Sequence, residues 1–224
     1  MMSRGMLRLL AMVVVGFLFG GNAWADGGFS AGELAALRRG GLVSRPLRNA
    51  RSDQVGGTAW ILVNADVDTV WRAITDFSSY RRFVPAAQRS RTLQRNGDVR
   101  VVSMRQESGL ISVDYALRFV TDSDKREVRF RIDHRRPHEV RDGWGFFRAE
   151  ARRDGRTLVS SGAVIEPGSS LLAAVVGDVL RDRVLSIPRR LKRWVEGPGR
   201  PRYARTPGRR IAGGASTAPG DRHP

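Results

Sequence analysis

From residue 88 to residue 165 the sequence alternates apolar and polar residues with a period of two, broken by turn signals. This pattern constrains the fold most, because a period of two sends successive side chains to opposite faces of a strand. Val128, Phe130 and Ile132 alternate with Arg129, Arg131 and Asp133, and Val113, Tyr115, Leu117 and Phe119 alternate with Ser112, Asp114, Ala116 and Arg118. Each strand therefore has one apolar and one polar face, as antiparallel sheets do. Asn96-Gly97 and Asp154-Gly155 are strong hairpin signals, Ser108-Gly109 is a weaker one, and residues 122–125 supply a longer polar turn. The segment predicts an antiparallel meander of about six strands. A two-residue turn at Ser108-Gly109 sets Met104 opposite Val113 and Val102 opposite Tyr115. A two-residue turn at Asp154-Gly155 puts Trp144, Phe146, Val159 and Ala163 on one face and Phe147, Leu158 and Val164 on the other. Both faces of that hairpin are partly apolar, so periodicity alone leaves its inner side open.

Pro167 ends the meander, and the period then changes to that of a helix. Leu172, Val175, Val176, Val179, Leu180, Val184, Ile187, Leu191 and Trp194 form an apolar stripe opposite Arg181, Asp182, Arg189, Arg190 and Arg193. A helix capped by Ser169 or Ser170 and running to about Glu196 is about 38 Å long, enough to cross a sheet. Pro188 predicts a kink near Val184. Upstream, Ser30-Ala-Gly-Glu33 is a capping box opening a short helix, residues 42–47 are extended, and residues 58–63 read as a strand. Asp66 caps a helix carrying Val70, Trp71, Ile74 and Phe77, and residues 78–83 form a second short helix that Pro85 stops.

The two ends have a different character. Arg4 and Arg8, an apolar run over residues 9–19 and Ala23-Trp24-Ala25 predict a signal peptide over residues 1–25, cleaved after Ala25. The run is shorter than the roughly 20 residues that span a bilayer. The expectation is export, to the periplasm if the source is Gram-negative. Residues 26–54 lead into the domain, which occupies residues 55–196, and residues 197–224, rich in Arg, Gly and Pro, are expected to be a disordered tail. The formal net charge of +17 would first suggest nucleic acid. It divides, however, into +2 in the leader, +5 in the tail and +10 over the remainder, so composition does not argue for a nucleic-acid partner. The absence of cysteine excludes disulfides and thiolate chemistry.

Val63-x-Ala65, Val70-Trp71-x-x-Ile74-Thr75-Asp76-Phe77, Tyr80, Phe83-x-Pro85 and Gly143-Trp144 together resemble the SRPBCC, or START-like, superfamily. Within it the chain is most similar to the polyketide-cyclase and coenzyme-Q-binding START-domain group, over about residues 55–196. Leu34, Leu37, Gly41 and Val43 resemble the upstream segment of exported members. The resemblance implies an α+β helix-grip fold, in which a curved antiparallel sheet wraps around a long C-terminal helix, with two short helices after the first main strand. It also implies a hydrophobic tunnel, but not one activity, because members bind lipids, quinones or hormones and some cyclise polyketides.

Candidate tunnel residues are Val102, Met104, Val113, Tyr115, Leu117, Phe130, Trp144, Phe146, Leu172, Val176 and Leu180, with Arg148 placed to orient a polar head group. A sheet-on-helix domain needs most of such a stripe for its core in any case. Glu150 falls on the Trp144 face as well, whereas Arg105, Glu107 and Asp114 read as a solvated face. His134 and His138 flank Pro137 in a charged loop. No Ser/His/Asp order, phosphate-cradling loop or metal-ligand spacing is evident, so the sequence names no catalytic residue, cofactor or metal. The leading expectation is an exported, non-enzymatic protein holding a hydrophobic small molecule, such as a lipid, an isoprenoid quinone or a polyketide-like compound. The alternatives are an aromatase/cyclase-like enzyme acting on a polyketide, and an envelope module whose basic tail touches anionic membrane.

Overall fold

A computed structural model describes residues 28–47, 54–108, 111–167 and 170–204. The expected signal peptide and residues 205–224 of the expected tail lie outside the described residues. Eight antiparallel strands form one sheet in the order β1-β2-β8-β7-β6-β5-β4-β3. They are β1 (Val43–Pro46), β2 (Val55–Val63), β3 (Ala87–Asn96), β4 (Val99–Ser108), β5 (Ile111–Asp122), β6 (Glu127–Ile132), β7 (Asp142–Ala151) and β8 (Thr157–Glu166). The six-strand meander is β3 to β8, and its last strand returns to pair with β2, so the first and last main strands lie side by side. The helices are α1 (Ala31–Arg38), α2 (Val67–Thr75), α3 (Tyr80–Phe83), α4 (Ser170–Leu185), α5 (Ile187–Glu196) and α6 (Arg200–Tyr203). The architecture is α+β, the helix-grip arrangement.

Every residue of β2 is buried because both faces of this strand are covered. On the outer face lies α1, which sets Leu37 against Trp60, Leu62 and Leu158. The capping box is present, with the Ser30 hydroxyl accepting from the Glu33 amide and the Glu33 carboxylate from the Ser30 amide. Glu33 also holds Arg45 at 3.0 Å, and the Arg45 guanidinium sits over the Trp60 ring. On the inner face lie α4 and α5. Thr58 faces outward from β2 beside Gly162, and its Oγ1 is buried without a partner among the described residues. Replacing Thr58 with valine removes this unsatisfied hydroxyl at nearly constant shape. Urea denaturation should show a gain of about 1 kcal/mol.

The expected single C-terminal helix is two helices. Pro188 has no N–H for the Val184 carbonyl, so the predicted kink is a break at Ser186, between α4 and α5. Ser186 caps the first half by donating its amide to Asp182 O at 2.9 Å and its hydroxyl to Arg183 O at 2.8 Å.

The fold also runs past the expected boundary at 196. Residues 197–199 turn the chain into α6, and Tyr203 is buried. Its hydroxyl donates to Asp76 Oδ2 at 3.0 Å, Arg202 Nε donates to the same oxygen at 2.7 Å, and Arg72 Nε donates to the Tyr203 carbonyl at 2.9 Å. Specific long-range hydrogen bonds order a segment whose composition suggested a tail.

Two hairpins depart from the expected register. Residues 108 and 111 pair, so Met104 faces Tyr115 and Val102 faces Leu117. This is a displacement of two residues, which keeps every side chain on its expected face. The last hairpin is displaced by one. Gly155 takes φ +78°, and Arg152 pairs its amide with Arg156 O, so the loop is one residue longer than a two-residue turn. Trp144 therefore pairs with Val164 and Phe146 with Gly162, whereas Phe147 faces Ser161 and Ala149 faces Val159. Val159 and Ala163 move to the Phe147 face, and Leu158 and Val164 to the Trp144 face.

Candidate functional site

The inner face of the sheet divides into a filled end and an open end. At the filled end α2, a 3-10 turn at Phe77–Ser79 and α3 press Val70, Ile74, Phe77, Tyr80 and Phe83 onto the strands. Tyr80 lies edge-on to Phe119 and Phe147, at 5.4 and 5.9 Å between ring centroids. Val102 and Met104 belong to this packed cluster and are fully buried. They are core rather than accessible lining.

Toward the other end α4 packs over β2 and β8. A Cβ at Gly57 would lie 2.4 Å from the Arg45 carbonyl oxygen of β1 and 3.1 Å from Leu185 Cδ2, so glycine lets β1 pair closely here and α4 settle over the strand. The inner faces of β5 and β6 carry a strip of apolar side chains, the trough, partly open and partly packed against the core. Val113, Tyr115, Leu117 and Phe130 are half-exposed along it, and Gly145 leaves space for the Phe130 ring, whose Cζ would lie 2.6 Å from a Cβ at that position. Leu180 of α4 is half-exposed too. The side chains of Leu172 and Val176 lie outside the described residues. Tyr115 is the polar member of the trough. Burial pushes its phenol well above the ordinary tyrosine range, and its hydroxyl makes no hydrogen bond within the described residues. Ser161 stands on the same face, on β8.

Trp144, Phe146 and Arg148 are not in the trough. They alternate with Gly145 and Phe147, and the one-residue difference in the last hairpin puts them on the outer face. The Phe146 ring lies over Gly162 there, and Arg148 donates to Glu127 Oε2 at 2.5 and 2.9 Å. Arg148 is thus occupied by a carboxylate and does not reach a ligand head group on the inner side. Glu150 shares that outer face, 4.0 Å from Arg148. Arg105 bridges Glu107 and Asp114 at the surface.

His134 and His138 lie 3.3 Å apart in the β6–β7 loop, with His134 also 3.0 Å from Asp142. Among the described residues no group of three His, Cys, Asp or Glu side chains is placed to hold a metal. None of the described helices is long and apolar enough to cross a membrane. A groove of about 470 Å³ between α2 and α5 is lined by polar groups such as Asn64, Asp66 and Glu196. Glu196 is engaged there by the Asn64 amide and Lys192.

Sequence reasoning missed Ser161 and Gly145 as inner-face residues and Tyr203 as a structural one. An available signal was the Phe147–Ala149 pair, whose spacing matches Val159–Ser161 once the loop gains a residue. Asp76, in the Thr75-Asp76-Phe77 block, has a structural role. Burial opposes its ionisation, yet hydrogen bonds from Ser78, Arg202, Ser79 and Tyr203 prevail and bring its pKa down to about 2.

The family described as "Polyketide cyclase / dehydrase and lipid transport" matches residues 55–196. Similar solved structures include a STAR-related lipid transfer protein from Xanthomonas axonopodis, at 12% identity and TM-score 0.56, covering 70% of this chain and 93% of that one. A protein from Thermus thermophilus aligns at 14% identity and TM-score 0.55, covering 64% and 97%. The di-domain ARO/CYC protein StfQ of the steffimycin biosynthetic pathway aligns at 13% identity and TM-score 0.52, covering 65% of this chain and 52% of StfQ. At these identities the likeness concerns the fold. No curated protein matches the sequence. With the family matched over more than half of its length and the helix-grip architecture in place, the chain belongs to the polyketide cyclase/dehydrase and lipid transport family of the START-like superfamily.

Proposed function

We propose that this chain is a non-enzymatic carrier that holds a hydrophobic small molecule in the trough between α4 and the inner faces of β5 and β6. The observation that carries the reading is the partial exposure of Val113, Tyr115, Leu117 and Phe130 on the same face as a fully buried cluster, against which the last three also pack. Apolar surface left beside a helix gains about 25 cal/mol per Å² when a ligand removes it from water, so a lipid, isoprenoid quinone or polyketide-like tail suits this surface. Membership of a family that includes lipid transport supports the same reading. Export, as expected from the leader, belongs to this proposal, because a carrier of apolar molecules is useful where they must cross water.

Native mass spectrometry of the purified chain is expected to reveal a co-purified apolar ligand, and 1,6-diphenyl-1,3,5-hexatriene, a hydrocarbon dye, is expected to bind and fluoresce. A chain that carries nothing and leaves the dye dark overturns the reading. Recovery from the host with Asp26 as the first residue supports export, and recovery with Met1 in place counts against it.

A further inference from the structure

We infer that the trough selects uncharged ligands and that Tyr115 is its specificity-determining residue, donating a hydrogen bond to a carbonyl or hydroxyl oxygen of the bound molecule. The inference rests on the trough being the binding site, as proposed above, and adds the chemical class of what enters it.

The inner-face positions of the strands around the trough carry no ionisable group apart from Tyr115. On β5 they are Val113, Tyr115, Leu117 and Phe119, and on β6 Val128, Phe130 and Ile132. On β7 and β8 they are glycines, Phe147, Ala149, Val159, Ser161 and Ala163. The cation that shares this parity on β4, Arg100, sits at the far end, with its guanidinium turned onto the Gly97 and Val99 carbonyls. Residues 168–177, which include the first part of α4, also contain no ionisable side chain; beside Leu180, Arg181 is paired with Asp178, and Arg183 is itself engaged. A carboxylate drawn into such a lining loses its hydration and meets no counter-charge, so it must stay outside or take up a proton. A neutral oxygen is different. It needs one donor, and the Tyr115 hydroxyl is a donor that no described protein group uses. A phenol is protonated throughout the neutral range, so it remains a donor there.

The test uses the full chain, with diphenylhexatriene as reporter and 1-decanol and decanoate as competitors at pH 8. The two competitors share a chain length and differ in charge. Decanol is expected to displace the dye at a concentration at least tenfold lower than decanoate, with the gap closing as the pH is lowered toward the carboxyl pKa and the acid becomes neutral. Tyr115→Phe is expected to weaken decanol about fivefold, the effect of one hydrogen bond, measured against the dye affinity of the same variant. Leu117→Lys places a cation in the same strip and is expected to reverse the preference toward decanoate. If decanoate competes as well as decanol at pH 8, selection by charge is overturned while the binding site stands. If Tyr115→Phe leaves decanol unchanged, the assignment of Tyr115 is overturned. If the dye does not bind the unmodified chain at all, the site reading itself fails.

Discussion

Tyr80→Ala is expected to lower the free energy of unfolding by about 3–5 kcal/mol, the range for deleting a large aromatic from a core. Tyr80 is 2% exposed and touches Phe77, Phe83, Phe119 and Phe147, so it links the short helices to both β5 and β7. The hole cannot close cheaply, because β5 and β7 are held on both sides by ladder hydrogen bonds. Tyr80→Phe separates packing from polarity. The Tyr80 hydroxyl donates to the buried Ile74 carbonyl at 2.8 Å, so its loss should cost about 1 kcal/mol. Guanidinium denaturation followed by far-ultraviolet circular dichroism measures both. A loss below 1 kcal/mol for the alanine variant would contradict the packing described here.

The second large effect is expected at Asp76. Its carboxylate accepts from Ser78, Ser79, Arg202 and Tyr203, and so joins the start of α3 to α6. Asp76→Ala leaves the buried Tyr203 hydroxyl and the Ser79 hydroxyl without their shared acceptor, at a cost of about 2–3 kcal/mol for hydrogen bonds to a charged group. The effect depends on pH in one direction. The folded-state pKa of about 2 lies below the ordinary 3.8, so folding favours the ionised form. The contribution is complete above pH 3.8 and disappears as the pH falls toward 2. Thermal melts at pH 6, 4, 3 and 2 should show the alanine variant far below the parent at pH 6 and close to it at pH 2. A constant gap across that series would place the acid sensitivity elsewhere. Limited proteolysis gives an independent reading, since loss of the Asp76 contacts should expose the Arg202–Tyr203 bond to trypsin.

The layers were legible because they follow from short-range rules. Val128, Phe130 and Ile132 face inward and Arg129 and Arg131 outward, as their alternation requires. Asp66 caps α2 through Thr69, as its position before an apolar run predicts. Missing from those rules was the count of residues inside a loop. Asp154-Gly155 marks the turn correctly, but a dipeptide does not say whether two or three residues lie between the last paired positions. That one residue moved Trp144, Phe146 and Arg148 to the outer face and brought Ser161 to the inner one. Tyr203 was illegible for another reason. It is a lone aromatic among proline, glycine and arginine, and its partners Asp76, Arg72 and Trp194 are distant in sequence or lie on another helix.

The candidate trough shows the same division. Inner-face periodicity named Val102, Met104, Val113, Tyr115, Leu117 and Phe130 as one group, and all six do share that face. Periodicity says which way a side chain points but not what stands in front of it. The aromatic cluster on the 3-10 turn and α3 covers Val102 and Met104, while α4 stops over β2 and β8 and leaves Val113, Tyr115, Leu117 and Phe130 partly exposed. The sequence by itself determined the alternation, the helical stripe and the family they belong to, because these depend on neighbours a few residues apart. Only the tertiary structure decided which inward side chains are core and which are open to a ligand, because that depends on where helices from other parts of the chain come to rest.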